Sequence, residues 1–207
     1  MVPARTDSGF LFTFTQHLQG GLHDSALQAG LTFVPLAVGF ALSSLNWRRL
    51  PARWHQAVIP AGCVIAACGY LVTGLAVADG GTGGLVLPVA LFVGGFGQGM
   101  AASPILTVAL SKVQPQDAPD ASGVLTTVIQ LGLVLGVATF GSVFLTQAAL
   151  PGPHPTATAI SQTLWLIVAA LIGCAIASSV MVRARPARAA SPVRPEAEHP
   201  ETAGDAA

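Results

Sequence analysis

The chain has 207 residues, 52% of them apolar and 9% charged, with nine basic and nine acidic side chains and a mean hydropathy of +0.66. A soluble domain usually carries roughly 25% charged residues, so the composition excludes an ordinary soluble fold and points to an integral membrane protein. A net charge of zero gives no footprint for nucleic acid, and the positions of the charges along the chain carry the information instead.

In chain order, residues 1–8 hold Pro3, Arg5 and Asp7 and read as a cytoplasmic N-terminal segment. Residues 9–18 follow as an apolar run of about half a span. A signal peptide would look similar, but no small-residue cleavage site follows and the run ends in Gln16, His17 and Gln19. A partial transmembrane helix fits better.

Five longer runs come next: 27–45, 57–78, 85–110, 123–145 and 163–182. None contains Asp, Glu, Lys or Arg. About 20 apolar residues in a helix cross roughly 30 Å of hydrocarbon, and a helix satisfies its own backbone hydrogen bonds there. The fold class is therefore all-α, a polytopic membrane helix bundle of five full spans plus a partial N-terminal one. Residues 183–207 begin basic, end acidic and are rich in Ala and Pro. They read as a disordered cytoplasmic tail, either a topology anchor or a segment that touches anionic headgroups.

All nine Lys and Arg fall on one side if the first run crosses. Arg5 precedes it, and Arg48, Arg49 and Arg53 lie between the first two full spans. Lys112 lies between the third and fourth, and Arg183, Arg185, Arg188 and Arg194 follow the fifth. The positive-inside rule places both termini in the cytoplasm of an inner (plasma) membrane protein, with Trp47 and Trp54 as interfacial anchors.

Pro35 and Pro104 lie inside their spans and free the carbonyls of Leu31 and Met100, so each should kink its helix. Such breaks mark moving parts of transporters, although proline is also common in ordinary membrane helices. Gly95 and Gly99 form a GxxxG pair, as do Gly132 and Gly136. Both pairs suit close helix packing, within one bundle or between two copies.

Polar residues are few. Gly123, Thr126, Thr127 and Gln130 share one face of the fourth span, opposite Gly132 and Gly136. Gln98 shares a face of the third span with Gly94, Gly95, Ala101 and Ala102. Thr15, Gln16 and His17 lie near the outer end of the first run. At membrane depth such groups bond helix to helix or face a cavity.

The full spans contain no carboxylate for a proton relay. His17 alone titrates near neutral pH, and at a helix end it reads as interfacial. Cys63, Cys68 and Cys174 lie in apolar runs without metal-ligand spacing. They read as small buried residues. No hydrolase triad, zinc motif or phosphate loop occurs, so neither an enzyme, a metal site nor a cofactor is expected.

Several segments are similar to a known family. Ser25-Ala-Leu-Gln-Ala-Gly-Leu31 followed by Pro35 resembles the start of a helix in the C-terminal half of major facilitator superfamily drug exporters, most closely the 14-helix drug:H⁺ antiporter branch. Gly94-Gly-Phe-Gly-Gln-Gly99 running to Pro104 is a second such segment. The third is Asp117-Ala-Pro-Asp-Ala-Ser-Gly-Val124, continued by Gln130-Leu-Gly132 and Leu135-Gly-Val-Ala138. Pro119-Asp120 stands where the family more often has Gly and a small residue.

The resemblance covers residues 9–182. It implies the last six helices of an exporter, in a truncated or split form, arranged as two three-helix repeats. On that basis Gln98, Thr126, Thr127 and Gln130 would line the substrate cavity, with Gln16 as a secondary candidate. The implied partners are the lipid bilayer, small lipophilic substrates and a separate N-terminal half. The family's coupling carboxylates lie mainly in that other half, so this chain alone should lack proton coupling. The competing reading is a non-transporting membrane partner, an assembly or regulatory subunit whose polar faces are interfaces.

Overall fold

The computed structural model describes residues 2–51, 55–110 and 113–183. Arg53, Trp54, Lys112 and the tail beyond Arg183, with its basic residues, lie outside the described residues. Among the described residues seven α-helices follow one another. They are α1 (Val2–Gln16), α2 (Ala26–Thr32), α3 (Val34–Asn46), α4 (His55–Val77), α5 (Val86–Leu110), α6 (Ala118–Ala148) and α7 (Pro155–Arg183). Among the described residues five stretches are long and apolar enough to cross a membrane, the first formed by α2 and α3 together.

The first helix differs from the sequence expectation. It covers Val2–Gln16 rather than starting at Gly9, and a π-helical turn, His17–Gly21, extends it. Residues 2–21 thus rise about 30 Å, the thickness of the hydrocarbon core. Pro3 does not block this start, because in the first turn its missing N–H would be unpaired anyway. Asp7 does not block it either, since its carboxylate meets the Gln98 side chain.

The Ser25–Gln28 segment explains part of the sequence pattern seen there. The Ser25 hydroxyl accepts from the Gln28 N–H at 3.3 Å, and the Gln28 Oε1 accepts from the Ser25 N–H at 2.9 Å. This reciprocal capping box satisfies two orphan donors and fixes where α2 begins. Two residues before Pro35 the helix breaks at Phe33, whose N–H turns back to Gly30 O at 3.1 Å. The expected kink at Pro35 is therefore a separation of α2 from α3. Pro104 instead lies within the unbroken α5.

The last two helices are longer than their apolar runs. α6 begins at Ala118, with Pro119 in its first turn and Asp120 at the positive end of the helix dipole. α7 begins at Pro155, eight residues before the apolar run, because Ala157, Ala159 and Ile160 are buried in the bundle. The connection between them tightens accordingly, and His154 packs its imidazole over Gly80. Gly80 sits at φ +75°, where a side chain would be strained.

The helices form two groups of three in chain order. α3 and α4 pack on α5, while α6 and α7 pack on α1, and α4 meets α7. Each group thus lends its first helix to the other, the exchange expected of paired structural repeats. The core contains Phe10, Phe14, Tyr70, Leu91, Ile160 and Leu164. Phe10 stacks on Phe14 at 5.2 Å and tilts against Tyr70 at 4.5 Å between centroids.

Glycine sets the closest approaches. A Cβ on Gly95 would run into the Leu36 carbonyl, one on Gly99 into that of Phe40, and one on Gly39 into that of Phe92, so α3 and α5 touch backbone to backbone. Gly62, Gly69 and Gly97 do the same between α4 and α5. Between α1 and α6 the fit is reciprocal, with Gly9 under the Phe140 ring and Gly141 under the Phe12 ring. Gly132 and Gly136 are buried on α6. Without a hydrophobic drive between helices in lipid, such contacts supply the packing energy.

Cys63 of α4 is fully buried, and Cys174 of α7 packs against the small cluster it forms with Ala101 and Ala175. Cys68 is exposed, contrary to its expected burial. Mild copper-catalysed oxidation should therefore join α4 to α7. With a protease site placed in the 149–154 connection, the two fragments should stay linked until reduced. A Cys63→Ala chain should fall apart, and separation of the parent chain would contradict the α4–α7 packing.

Candidate functional site

The sequence-derived candidates fall into two places. Gln98 occupies the midpoint of α5 and is buried at 4% exposure. Thr126, Thr127 and Gln130 lie exposed on α6. Gln16 is exposed at the end of α1, apart from both. The structure therefore does not bring these five residues together.

On α6 the two threonines anchor their hydroxyls to the preceding turn. Thr126 donates to Ser122 O at 2.8 Å and Thr127 to Gly123 O at 2.9 Å. Their donors are used locally, and each oxygen retains acceptor capacity toward the open side. Val124, Leu131, Val134 and Leu135 are also exposed on this helix. The result is a mixed surface, apolar with a short polar strip, of the kind that holds an amphipathic molecule.

Gln98 belongs to a polar network instead. The Tyr70 hydroxyl of α4 donates to Gln98 Oε1 at 2.6 Å, with Tyr70 fully buried. The Gln98 side chain is also hydrogen-bonded to Asp7 of α1. With Oε1 occupied by a hydroxyl donor, the amide NH₂ is the group turned toward the carboxylate. Three helices thus meet through one acid, one amide and one phenol.

Asp7 and Tyr70 are the functional candidates that sequence reasoning missed. The expectation that the bundle carries no carboxylate is corrected, because α1 carries Asp7 into it. Two signals were present. Asp7, Phe10 and Phe14 repeat at i, i+3 and i+7, one face of a helix. Tyr70 is the single tyrosine of the chain, set in an apolar run, and a buried tyrosine hydroxyl normally has a partner.

His17 also departs from expectation. It is 1% exposed rather than interfacial, and its ring lies 6.2 Å from that of Phe14. Two grooves in the surface are apolar. One, about 370 Å³, is lined by Cys68, Val72, Val89 and Val93 of α4 and α5. The other, about 650 Å³, lies between α4 and α7 along Ala57, Val64, Ile172 and Ile176. Neither includes a sequence-derived cavity residue, and both suit lipid chains. Among the described residues no cluster of His, Cys, Asp and Glu is arranged to hold a metal.

The sequence profile of the Major Facilitator Superfamily matches residues 4–137. The match begins before Gly9, within α1. The chain is 34% identical over 154 residues to a probable actinorhodin transporter of Streptomyces coelicolor, covering 73% of this chain and 26% of that one. It is 33% identical over 161 residues to the drug efflux pump JefA of Mycobacterium tuberculosis, covering 73% and 31%. To the cephamycin export protein CmcT of Amycolatopsis lactamdurans it is 35% identical over 133 residues, covering 61% and 26%. The chain spans about a quarter to a third of the length of these relatives.

Proposed function

The chain belongs to the major facilitator superfamily, and from that premise we propose that it is the C-terminal half of an exporter of the 14-helix drug:H⁺ antiporter branch. It is an integral, multi-pass membrane protein. Its proposed work is binding and translocation of small lipophilic molecules; its relatives are named for transport of actinorhodin, of drugs and of cephamycin. The polar strip of Thr126, Thr127 and Gln130 on the open face of α6 carries this reading. Polar side chains at membrane depth do not face lipid. That face belongs against a water-containing cavity closed by a second, N-terminal half.

Two further features support the assignment. The resemblance at Ser25–Leu31, Gly94–Gly99 and Asp117–Val124 is to C-terminal-half helices. The exchange of first helices between α1–α4 and α5–α7 suits one half of a transporter built from repeats. We orient the chain with both termini in the cytoplasm. Arg48 supports this orientation, stacking 5.7 Å over the Trp47 ring at the end of α3, as a basic cytoplasmic anchor does.

The test is efflux of a fluorescent lipophilic cation from cells expressing this chain alone or with a matching N-terminal half. Efflux should appear only with the added half. Absence of efflux in both cases, with the protein shown to be inserted, would overturn the reading and leave a non-transporting membrane partner.

A further inference from the structure

We propose that Asp7 is the residue at which this half of the transporter takes up and releases a proton, with Gln98 and Tyr70 as its positioning residues. The proposal rests on the transport reading above and names a coupling site within it.

The placement is the first argument. α1 leans on α6 and α7 and only lightly on α5, and Asp7 is partly buried on it. It meets Gln98 at the centre of α5 and lies within electrostatic reach of Tyr70. An ionisable residue at such a depth is costly, and it persists where function requires it.

The wiring is the second argument. Tyr70 donates into Gln98 Oε1, which fixes the amide orientation and aims its N–H at Asp7. The ionised carboxylate receives a charge-assisted hydrogen bond, roughly twice as strong as a neutral one. Uptake of one proton from water converts the carboxylate to a neutral acid. The bond to Gln98 then loses its charge assistance, while the oxygen of the same amide is already engaged by Tyr70. Release of the proton to water on the other side restores the bond.

The surroundings are the third argument. On α4 Tyr70 is fully buried, with His55 at the start of the helix and Cys63 and Cys68 along it, and Arg183 ends α7. The α5 helix carries no Asp, Glu, Lys, Arg or His, and α6 carries none beyond Asp120 at its exposed start. α7 brings Cys174, packed against the Cys63 cluster. Along α1, Arg5 and His17 are the neighbouring titratable residues in sequence.

The consequence is mechanical. α1 packs with α6 and α7, and α5 packs with α3 and α4, so the Asp7–Gln98 bond ties these two packed groups. Protonation loosens that tie, and deprotonation tightens it. A carboxylate so placed converts a proton gradient into movement of one group against the other, as alternating access requires.

Infrared difference spectra of the full chain in lipid vesicles, taken across a pH titration, test the site without transport. A protonated-carboxyl band should rise as pH falls, with the ring mode of the single tyrosine shifting at the same midpoint. Asp7→Asn should remove the Asp7 component of that band together with the tyrosine shift, leaving the contribution of the other eight acidic side chains. If that variant fails to insert, Tyr70→Phe should move the midpoint. A band and tyrosine shift left unchanged by Asp7→Asn, or an Asp7 component whose midpoint is unmoved by Tyr70→Phe, overturns the proposal.

Transport completes the test in vesicles that also hold the N-terminal half. Under an imposed pH gradient Asp7→Asn should lose gradient-driven accumulation while still binding substrate, and Asp7→Glu should retain it. Accumulation by Asp7→Asn equal to the parent would sink the coupling site and leave the transport reading intact. A parent chain that titrates at Asp7 but never transports would sink the transport reading and leave the proton site.

Discussion

Gly95→Leu should destabilise the chain by more than about 3 kcal/mol, while Gly173→Leu should leave it unchanged or slightly more stable. The two substitutions are chemically identical, and only the surroundings differ. At Gly95 the first atom of a side chain would overlap the Leu36 carbonyl oxygen and its carbon, which are backbone and cannot rotate away. At Gly173 nothing lies within reach of that atom. Overpacking commonly costs about 1–3 kcal/mol where side chains yield. Here α3 must separate from α5, and the contacts of Gly99 with Phe40 and of Gly39 with Phe92 are lost with it. Leucine also forms helix better than glycine, by up to about 1 kcal/mol, which favours the Gly173 variant. Thermal unfolding in detergent reads the difference, with a fall of roughly 6–12 °C for Gly95→Leu at about 2–4 °C per kcal/mol. Equal melting of the two variants would show that α3 does not contact α5 through its backbone.

The same contrast explains what the sequence made legible. Long apolar runs report where the chain enters lipid, so α4 and α5 were located to within two residues at each end. Pro35 carries its own steric rule, and where a kink was expected the helix breaks into α2 and α3. Hydropathy fails where a helix is polar but buried in protein. The first two turns of α1 hold Arg5 and Asp7, and the first two turns of α7 hold Thr156, Thr158, Ser161 and Gln162. Average hydropathy excluded both segments, yet Asp7 is partly buried and Ala157, Ala159 and Ile160 are buried among bundle neighbours. The candidate site shows the same division. The polar strip on α6 was legible because it repeats at helical spacing. The partnership of Gln98 with Asp7 and Tyr70 spans three helices, and sequence periodicity within one helix carries no information about it.

That partnership gives a second large effect. Gln98→Leu should cost roughly 3 kcal/mol or more, yet the same substitution should cost far less when Tyr70→Phe and Asp7→Asn accompany it. Gln98 accepts from the Tyr70 hydroxyl and bonds Asp7. Leucine of similar size does neither, so a fully buried phenol and a carboxylate lose their partner together. Each orphaned buried polar group costs about 1–3 kcal/mol, and more if it is charged. Tyr70→Phe alone should cost about 1–3 kcal/mol, since it takes the hydroxyl donor from the buried amide oxygen of Gln98. In the triple variant the phenol is gone and the charge is gone, so there is little left to desolvate. The three changes should therefore be strongly non-additive, as residues of one network are. Apparent Tm values of the single, double and triple variants in the same detergent measure this directly. Additive losses would mean that the three side chains do not act as one unit, and they would remove the basis for assigning Gln98 and Tyr70 the task of holding Asp7.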